Sequence, residues 1–176
     1  MGVGRDERAW VRGAQAGSVS DLEALFQLHW PRAYRAAYLV CRDAAAAEDI
    51  AQEAFLAAVR ALDRFDRRRP FGPWLHRIVV NRAIDWGRAR ALRAEVELHE
   101  TAAAAEPALP SGNSHTVASA LASLSPEHRA VIVLRHLLEY TPGEIAKLLE
   151  MPRGTVNSRL RRGLDELGER LREEVR

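Results

Sequence analysis

Residues 94–118, AEVELHETAAAAEPALPSGNSHTVA, divide the chain. They hold four Glu, two Pro and an SGNS run, but no Lys or Arg. Such a segment reads as a linker, most clearly from Ala105 onward. The blocks on either side, 5–93 and 119–176, must then each bury a core of their own. Each is near the lower size limit for a stable domain, so its core must be dense in Leu, Ile and aromatics. A chain of 176 residues that is 47% hydrophobic has the material for this. No strand pattern is present, and the longest β-branched run, Ile78-Val79-Val80, sits within helical spacing. The expected fold is all-α: two small helical domains joined by a flexible linker.

In the first block, Ser20-Asp21-Leu22-Glu23 reads as a capping box, in which hydroxyl and carboxylate satisfy free N–H groups at a helix start. Leu22, Leu25, Phe26 and His29 follow at helical spacing. Pro31 lacks an N–H and clashes with the preceding turn, so it should kink or divide this helix. A second helix is expected from about Ala45 to Leu62. Ile50, Phe55, Val59 and Leu62 form its apolar stripe, and Asp49, Gln52, Glu53 and Arg60 lie off it. A third should start near Pro73, a favoured first-turn proline. The intervening loop, Phe65-Asp66-Arg67-Arg68-Arg69-Pro70-Phe71-Gly72, is basic and flanked by aromatics. Trp74 is expected in the core and Phe65 at an edge.

In the second block, Ser125 and Pro126 read as N-cap and first helical residue, followed by Val131, Ile132, Leu134 and Leu138 on a buried face. Thr141-Pro142-Gly143-Glu144 repeats the signature with a capping-box Glu. A short helix carrying Ile145, Leu148 and Leu149 is broken at Glu150-Met151-Pro152-Arg153. A longer helix then starts near Gly154 or Thr155 with Val156, Leu160, Leu164, Leu167 and Leu171. A short helix, a turn and a longer Arg-bearing helix is the helix-turn-helix arrangement.

Charge is unevenly spread. The formal net charge is +2. Residues 60–93 alone hold ten Arg and three Asp, a net of +7, and residues 151–162 hold Arg153, Arg159, Arg161 and Arg162 with no acid. Localised basic patches attract a phosphate backbone. The aromatics Phe65, Phe71, Trp74 and Trp86 within the first patch would suit unpaired bases if their rings were exposed. Asp49, Gln52 and Glu53 share one helix face, which suits a solvated surface, a docking surface for a basic partner or, less well, an Mg²⁺ ion lacking its third ligand.

Enzyme signatures are missing: the chain has no GxxxxGK[ST], GxSxG or HExxH. His128 and His136 lie eight apart on one helix without a third ligand, and His29, His76 and His99 have no evident partners. Cys41 is the single cysteine, so no intramolecular disulfide can form. No cofactor or metal is expected. No segment is apolar for the 18 residues a membrane span needs, and the N-terminus has no signal-peptide core. No membrane insertion is expected, and a cytoplasmic location is.

Four segments in order resemble the sigma-70 superfamily of bacterial RNA polymerase sigma factors, in its extracytoplasmic-function (ECF) group. Ala47–Phe55 resembles region 2.2, Phe71–Asp85 regions 2.3 and 2.4, Leu124–Ala146 region 4.1, and Met151–Leu160 the region 4.2 recognition helix. The resemblance implies that 5–93 docks on core RNA polymerase and reads the −10 element. It further implies that 94–118 is an acidic linker and that 119–176 reads the −35 element. Asp49, Gln52 and Glu53 would face the β′ clamp helices. Phe65, Arg67, Arg68, Arg69, Asn81 and Asp85 would serve −10 DNA, with Asn81 and Asp85 framing a pocket for a flipped base. Arg153, Thr155, Asn157, Ser158, Arg159, Arg161 and Arg162 would serve −35 DNA. The β flap of the polymerase, promoter DNA and an anti-sigma factor are the implied partners.

The sequence also departs from the family pattern. Asn157 stands where many members carry Lys or Arg, which predicts an altered −35 preference. Asp85 puts an acid beside DNA. Glu150 replaces the glycine common in the helix-turn-helix turn, which predicts a different turn. A stand-alone helix-turn-helix regulator is the alternative reading. It leaves the AEDIAQEAF segment and the Arg-aromatic loop unexplained.

Overall fold

The computed structural model describes residues 3–98 and 120–174. Among the described residues the helices are, in order, α1 (Val3–Gln15), α2 (Val19–Cys41), α3 (Ala44–Ala61), α4 (Phe71–Leu98), α5 (Pro126–His136), α6 (Pro142–Leu148) and α7 (Arg153–Glu174), and residues 120–122 just before α5 are helical too. A single 3₁₀ turn, Leu62–Arg64, ends α3, and no strand is present among the described residues.

α1 was not foreseen as an element. It ends at Gly17, whose φ of 90° is open to glycine and strained for other residues. That turn frees Ser18 to cap α2, where its Oγ accepts from Asp21 N at 3.3 Å. The expected capping box at Ser20 is therefore displaced by two residues, and Ser20 lies inside the helix. α2 also runs unbroken through Pro31. Pro31 and Gln27, whose carbonyl loses its helical partner, are both exposed residues on the outer side of α2. Along the same helix Phe26, Trp30, Tyr34 and Tyr38 stack at four-residue spacing, with centroids 4.9, 6.4 and 6.4 Å apart, and stiffen it across the proline.

α2 is the central rod of the N-terminal bundle. Leu25, Ala33, Ala36, Ala37 and Val40 are fully enclosed by α1, α3 and α4. α3 approaches closely because Ala47, Ala51, Ala54 and Ala58 face inward with Ile50 and Phe55. Val59, expected on this stripe, is instead exposed. α4 starts at Phe71, before Pro73, because a partner from elsewhere caps it: Glu7 of α1 accepts from Gly72 N at 3.3 Å. At its far end α4 continues to Leu98, so residues 94–98 of the expected linker are helical. The rest of that linker, 99–118, lies outside the described residues.

In the C-terminal part, Ser125 caps α5 and a complete capping box, Thr141 with Glu144, starts α6, as the sequence predicts. Leu134, Ile145 and Val156 form its centre, while Leu164 is exposed.

The two parts do not stand apart. α5 packs on α2 and α4, and α6 on α4. Gly87, in the middle of α4, admits Pro126: a Cβ there would meet the proline ring at 2.7 Å. Two helical bundles thus share a seam.

Candidate nucleic-acid interface

The C-terminal surface is built on the turn between α6 and α7. Met151 N donates to Ala146 O at 3.0 Å, and Thr155 N and Val156 N donate to Pro152 O, so α7 begins at once after Pro152. Glu150 adopts φ 52°. The expectation of a different turn fails here, because the glutamate takes the left-handed conformation that suits glycine. Its carboxylate accepts from Arg77 of α4 at 2.6 Å, a contact glycine could not make.

Val156 and Leu160 anchor α7 in the core. Arg153, Asn157 and Arg161 then fall at four-residue intervals on the opposite face, with Arg162 beside them, and all four are exposed. Thr155, Ser158 and Arg159 are half-buried at the edge of that row. Ser158 Oγ donates to Thr155 O at 3.0 Å, so its proton is engaged within the helix. Arg159 reaches back to the Met151 sulfur at 3.7 Å and forms no ion pair among those described.

The N-terminal surface is arranged differently. Arg67, Arg68 and Arg69 are exposed on a loop held by Asp66, which accepts from Arg68 N at its Oδ1 and from Arg69 N at its carbonyl, each at 2.9 Å. Phe65 is a correction. The sequence placed it at an edge, but it is only 8% exposed. Its ring lies 4.6 Å from Trp74 and 5.9 Å from Phe71. Gln15 of α1 donates to its carbonyl at 3.1 Å and to that of Leu62 at 2.8 Å. Burial of three rings together outweighs the loop position of one. Asn81 is half-buried and Asp85 exposed, one turn apart on α4. A cavity of about 140 Å³ opens between α1 and the loop, beside Arg67 and Arg69.

On α3, Asp49, Gln52 and Glu53 are all exposed, off the apolar stripe as expected. Glu53 accepts from Arg82 at 2.6 Å, and Gln52 donates to Glu48 at 3.3 Å. Exposed Leu56 and Phe26 lie on the neighbouring surface of α3 and α2.

Sequence reasoning missed the polar seam. His76, buried on α4, lies 2.8 Å from the Tyr140 hydroxyl in the turn before α6. Burial pushes His76 down to about 4, aided by the charges of His29 and Arg32, with Glu7 opposing. Burial likewise raises the Tyr140 phenol, with Glu144 adding to the effect. His29 Nε2 lies 3.4 Å from Glu7, and this contact holds the Glu7 carboxyl below its ordinary value despite burial. Only a pairing across 64 residues reveals the His76 partner, and no local motif signals it. No group of three metal-ligating side chains exists among the described residues, and no helix described is long and apolar enough to cross a membrane.

Comparison with known proteins bears on both surfaces. The Sigma-70 region 2 family matches residues 25–93, and the Sigma-70 region 4 family matches 114–167. The ECF RNA polymerase sigma factor SigW of Bacillus subtilis is 32% identical, over 93% of this chain and 95% of its own. The ECF RNA polymerase sigma factor SigL of Mycobacterium tuberculosis is 34% identical, over 86% and 89%. The solved structure of CnrH in complex with the cytosolic domain of CnrY matches with a TM-score of 0.71 and 29% identity, over 96% of this chain and 98% of that one.

Proposed function

The chain belongs to the ECF RNA polymerase sigma factors of the sigma-70 superfamily, and from that premise we propose how its surfaces divide the work of promoter recognition. A sigma factor is the promoter-specificity subunit of RNA polymerase: it directs transcription initiation and is not itself an enzyme. In our reading, residues 5–93 dock on core polymerase and open the −10 element, and residues 119–176 read the −35 duplex. The observation that carries this is the row of Arg153, Asn157, Arg161 and Arg162, free of acids, on the second helix of a helix-turn-helix. Arg can fork onto guanine, Asn onto adenine, and both fit a major groove. Thr155, Ser158 and Arg159 flank the phosphate path.

Asp49, Gln52 and Glu53 form the polymerase-docking face, an acidic surface for a basic partner. Arg67, Arg68 and Arg69 hold the −10 backbone, and Asn81 and Asp85 frame a flipped base. Phe65, packed against Trp74 and Phe71, supports this surface from within the core.

We further place the protein in the cytoplasm with the polymerase. By analogy with the CnrH–CnrY pairing, we assign it an anti-sigma partner that holds the chain inactive.

Reconstitution with a bacterial core polymerase on a promoter library tests this reading. Specific start sites with matched −10 and −35 sequences are expected. Duplex binding without polymerase, and no start sites with it, would instead establish a stand-alone regulator.

A further inference from the structure

The aromatic ladder of α2 ends on a charge. Arg42, the residue after Phe26, Trp30, Tyr34 and Tyr38 in the four-residue series, caps α2 in a left-handed conformation with φ 62°. Its backbone N–H returns to Tyr38 O at 2.8 Å, and its guanidinium lies 5.2 Å over the Tyr38 ring. The side chain is thus held in place, yet its Nε and Nη1 are buried without a hydrogen-bond partner. Across the seam, in the first turns of α5, Arg129 is 7% exposed, and its Nε is also buried without a partner.

The acids nearby are already engaged. Glu127 pairs with Arg88, and Asp43 with Arg90 at 3.2 Å. Arg88 also has Asp85 at 3.8 Å, whereas Arg42 and Arg129 form no ion pair among those described and carry the unpaired donors. Burial pushes Arg129 down to about 10, and the charges of Arg42 and Arg90 add to this. It remains a cation at neutral pH. A buried cation with unused donors is costly unless a counter-charge joins it.

We propose that Arg42 and Arg129 form a binding site for a small doubly charged oxyanion of the phosphate class at the seam between the two bundles. Such an anion matches the two cations that have no ion pair among those described and offers acceptors to donors that lack them, as guanidinium–phosphate pairing does. The positive N-terminal end of α5 adds to the attraction. Because the two arginines belong to different bundles, the complete site exists only while the seam is closed. Binding is then linked to closure, and the anion stabilises the closed arrangement in proportion to its saturation. This inference does not require the promoter reading.

Cys41, the residue before Arg42, is buried and is the only thiol, so its reactivity reports opening. The test titrates the full chain with inorganic phosphate, and in separate arms with sulfate and a nucleoside 5′-diphosphate, against chloride at matched ionic strength. Saturable one-to-one binding in calorimetry, a rise in Tm and a severalfold slower reaction of Cys41 with a thiol reagent are expected. Arg42→Gln, at a half-buried position that folding should tolerate, is expected to weaken binding at least tenfold. Arg129→Gln should do the same, and exposed Arg60→Gln should leave it unchanged. Preference for the nucleotide over free phosphate identifies the source of the phosphoryl group and supports the site. Equal behaviour in chloride and all three anions, or wild-type affinity in folded Arg42→Gln, overturns it.

Discussion

The basic residues of α4 and α7 look alike in the sequence and are used in opposite ways. On α4, Arg77 meets Glu150, Arg82 meets Glu53, Arg88 meets Glu127, and Arg90 meets Asp43. Each of these carboxylates comes from outside the helix. On α7, Arg153, Arg161 and Arg162 are exposed and have no partner among the described ion pairs. A charge count along the chain measures a surface only where the neutralising acids are also local. α4 crosses the middle of the molecule and collects acids from α3, from α5 and from the turn before α7. α7 packs by one face and offers the other to solvent. The paired cations of α4 therefore act within the protein, whereas Arg153, Arg161 and Arg162 of α7 are open to solvent. In the N-terminal part the loop residues Arg67, Arg68 and Arg69 are exposed and form no ion pair among those described.

That loop gives the largest expected effect, because its two halves should separate cleanly. Phe65→Ala removes a ring from a packed aromatic cluster, and such deletions cost about 3–5 kcal/mol. Replacing Arg67, Arg68 and Arg69 together with Ala should change stability by no more than about 0.5 kcal/mol per exposed site. Urea unfolding of both variants checks this. A Phe65→Ala loss below ~1 kcal/mol would mean that the ring is free for bases, as the sequence alone suggests, rather than part of the core.

The seam itself should respond to acid. Burial holds the His76 imidazole at about 4 in the fold against its ordinary value of 6.5. Between these values the unfolded chain binds more protons, so stability rises with pH there. It is complete above about pH 7 and is lost as pH falls through 6.5 toward 4. The full shift corresponds to a loss on the order of 3 kcal/mol. The groups facing His76 are Tyr140, His29, Arg32 and Glu7. Glu7, Glu127 and Glu144 are all held below 4.5, so their own losses come mostly at lower pH. Urea midpoints at pH 7.5 and 5 should differ in the native chain and converge in His76→Gln. An unchanged pH slope in that variant would assign the effect elsewhere.

On α7, Arg161→Ala or Arg162→Ala should cost ~1–3 kcal/mol of −35 duplex affinity where the side chain forks onto a base. An arginine that touches only phosphate should weaken all sequences alike and lower the salt slope by about one. Arg82→Ala, on the neutralised helix, should leave duplex affinity unchanged. Fluorescence anisotropy across a salt series measures all three. Equal losses from Arg82 and Arg161 would erase the contrast between the helices.

The elements that the sequence made legible are those whose determinants are local. Ser125-Pro126 and Thr141-Pro142-Gly143-Glu144 cap their own helices, so α5, α6 and the start of α7 lie where capping and periodicity put them. The exposed row on α7 follows from the buried Val156 and Leu160 on its other side. Readings that needed a distant partner failed. The cap of α4 is Glu7, from 65 residues earlier. Phe65 is buried by rings that follow a loop, and Pro31 sits on an exposed side of α2 that runs on through it. The cap of α2 is Ser18 rather than the expected Ser20, because the turn through Gly17 that follows α1 fixes where α2 begins. The seam was illegible for the same reason: His76 and Tyr140 belong to different composition blocks, and the sequence shows only the linker between them.

The smallest effect tests whether α4's ion pairs hold the seam by charge. The Arg77–Glu150 pair is 42% and 69% exposed at its two side chains. Exposed pairs contribute about 0–1 kcal/mol, because water screens them and both side chains lose rotamer freedom. A double-mutant cycle with Arg77→Ala and Glu150→Gln should thus give a coupling below ~1 kcal/mol. Glu150→Gly removes the same pair but also relieves a left-handed conformation worth ~1–2 kcal/mol to a residue with a Cβ. It should therefore be neutral or slightly stabilising while Glu150→Gln is slightly destabilising, and thermal unfolding of both gives the sign. If Glu150→Gly lowers stability by more than ~1 kcal/mol, the salt bridge outweighs the backbone strain. The cations of α4 would then be the principal clasp of the closed form, ahead of the buried His76–Tyr140 contact and the packing of Pro126 on Gly87.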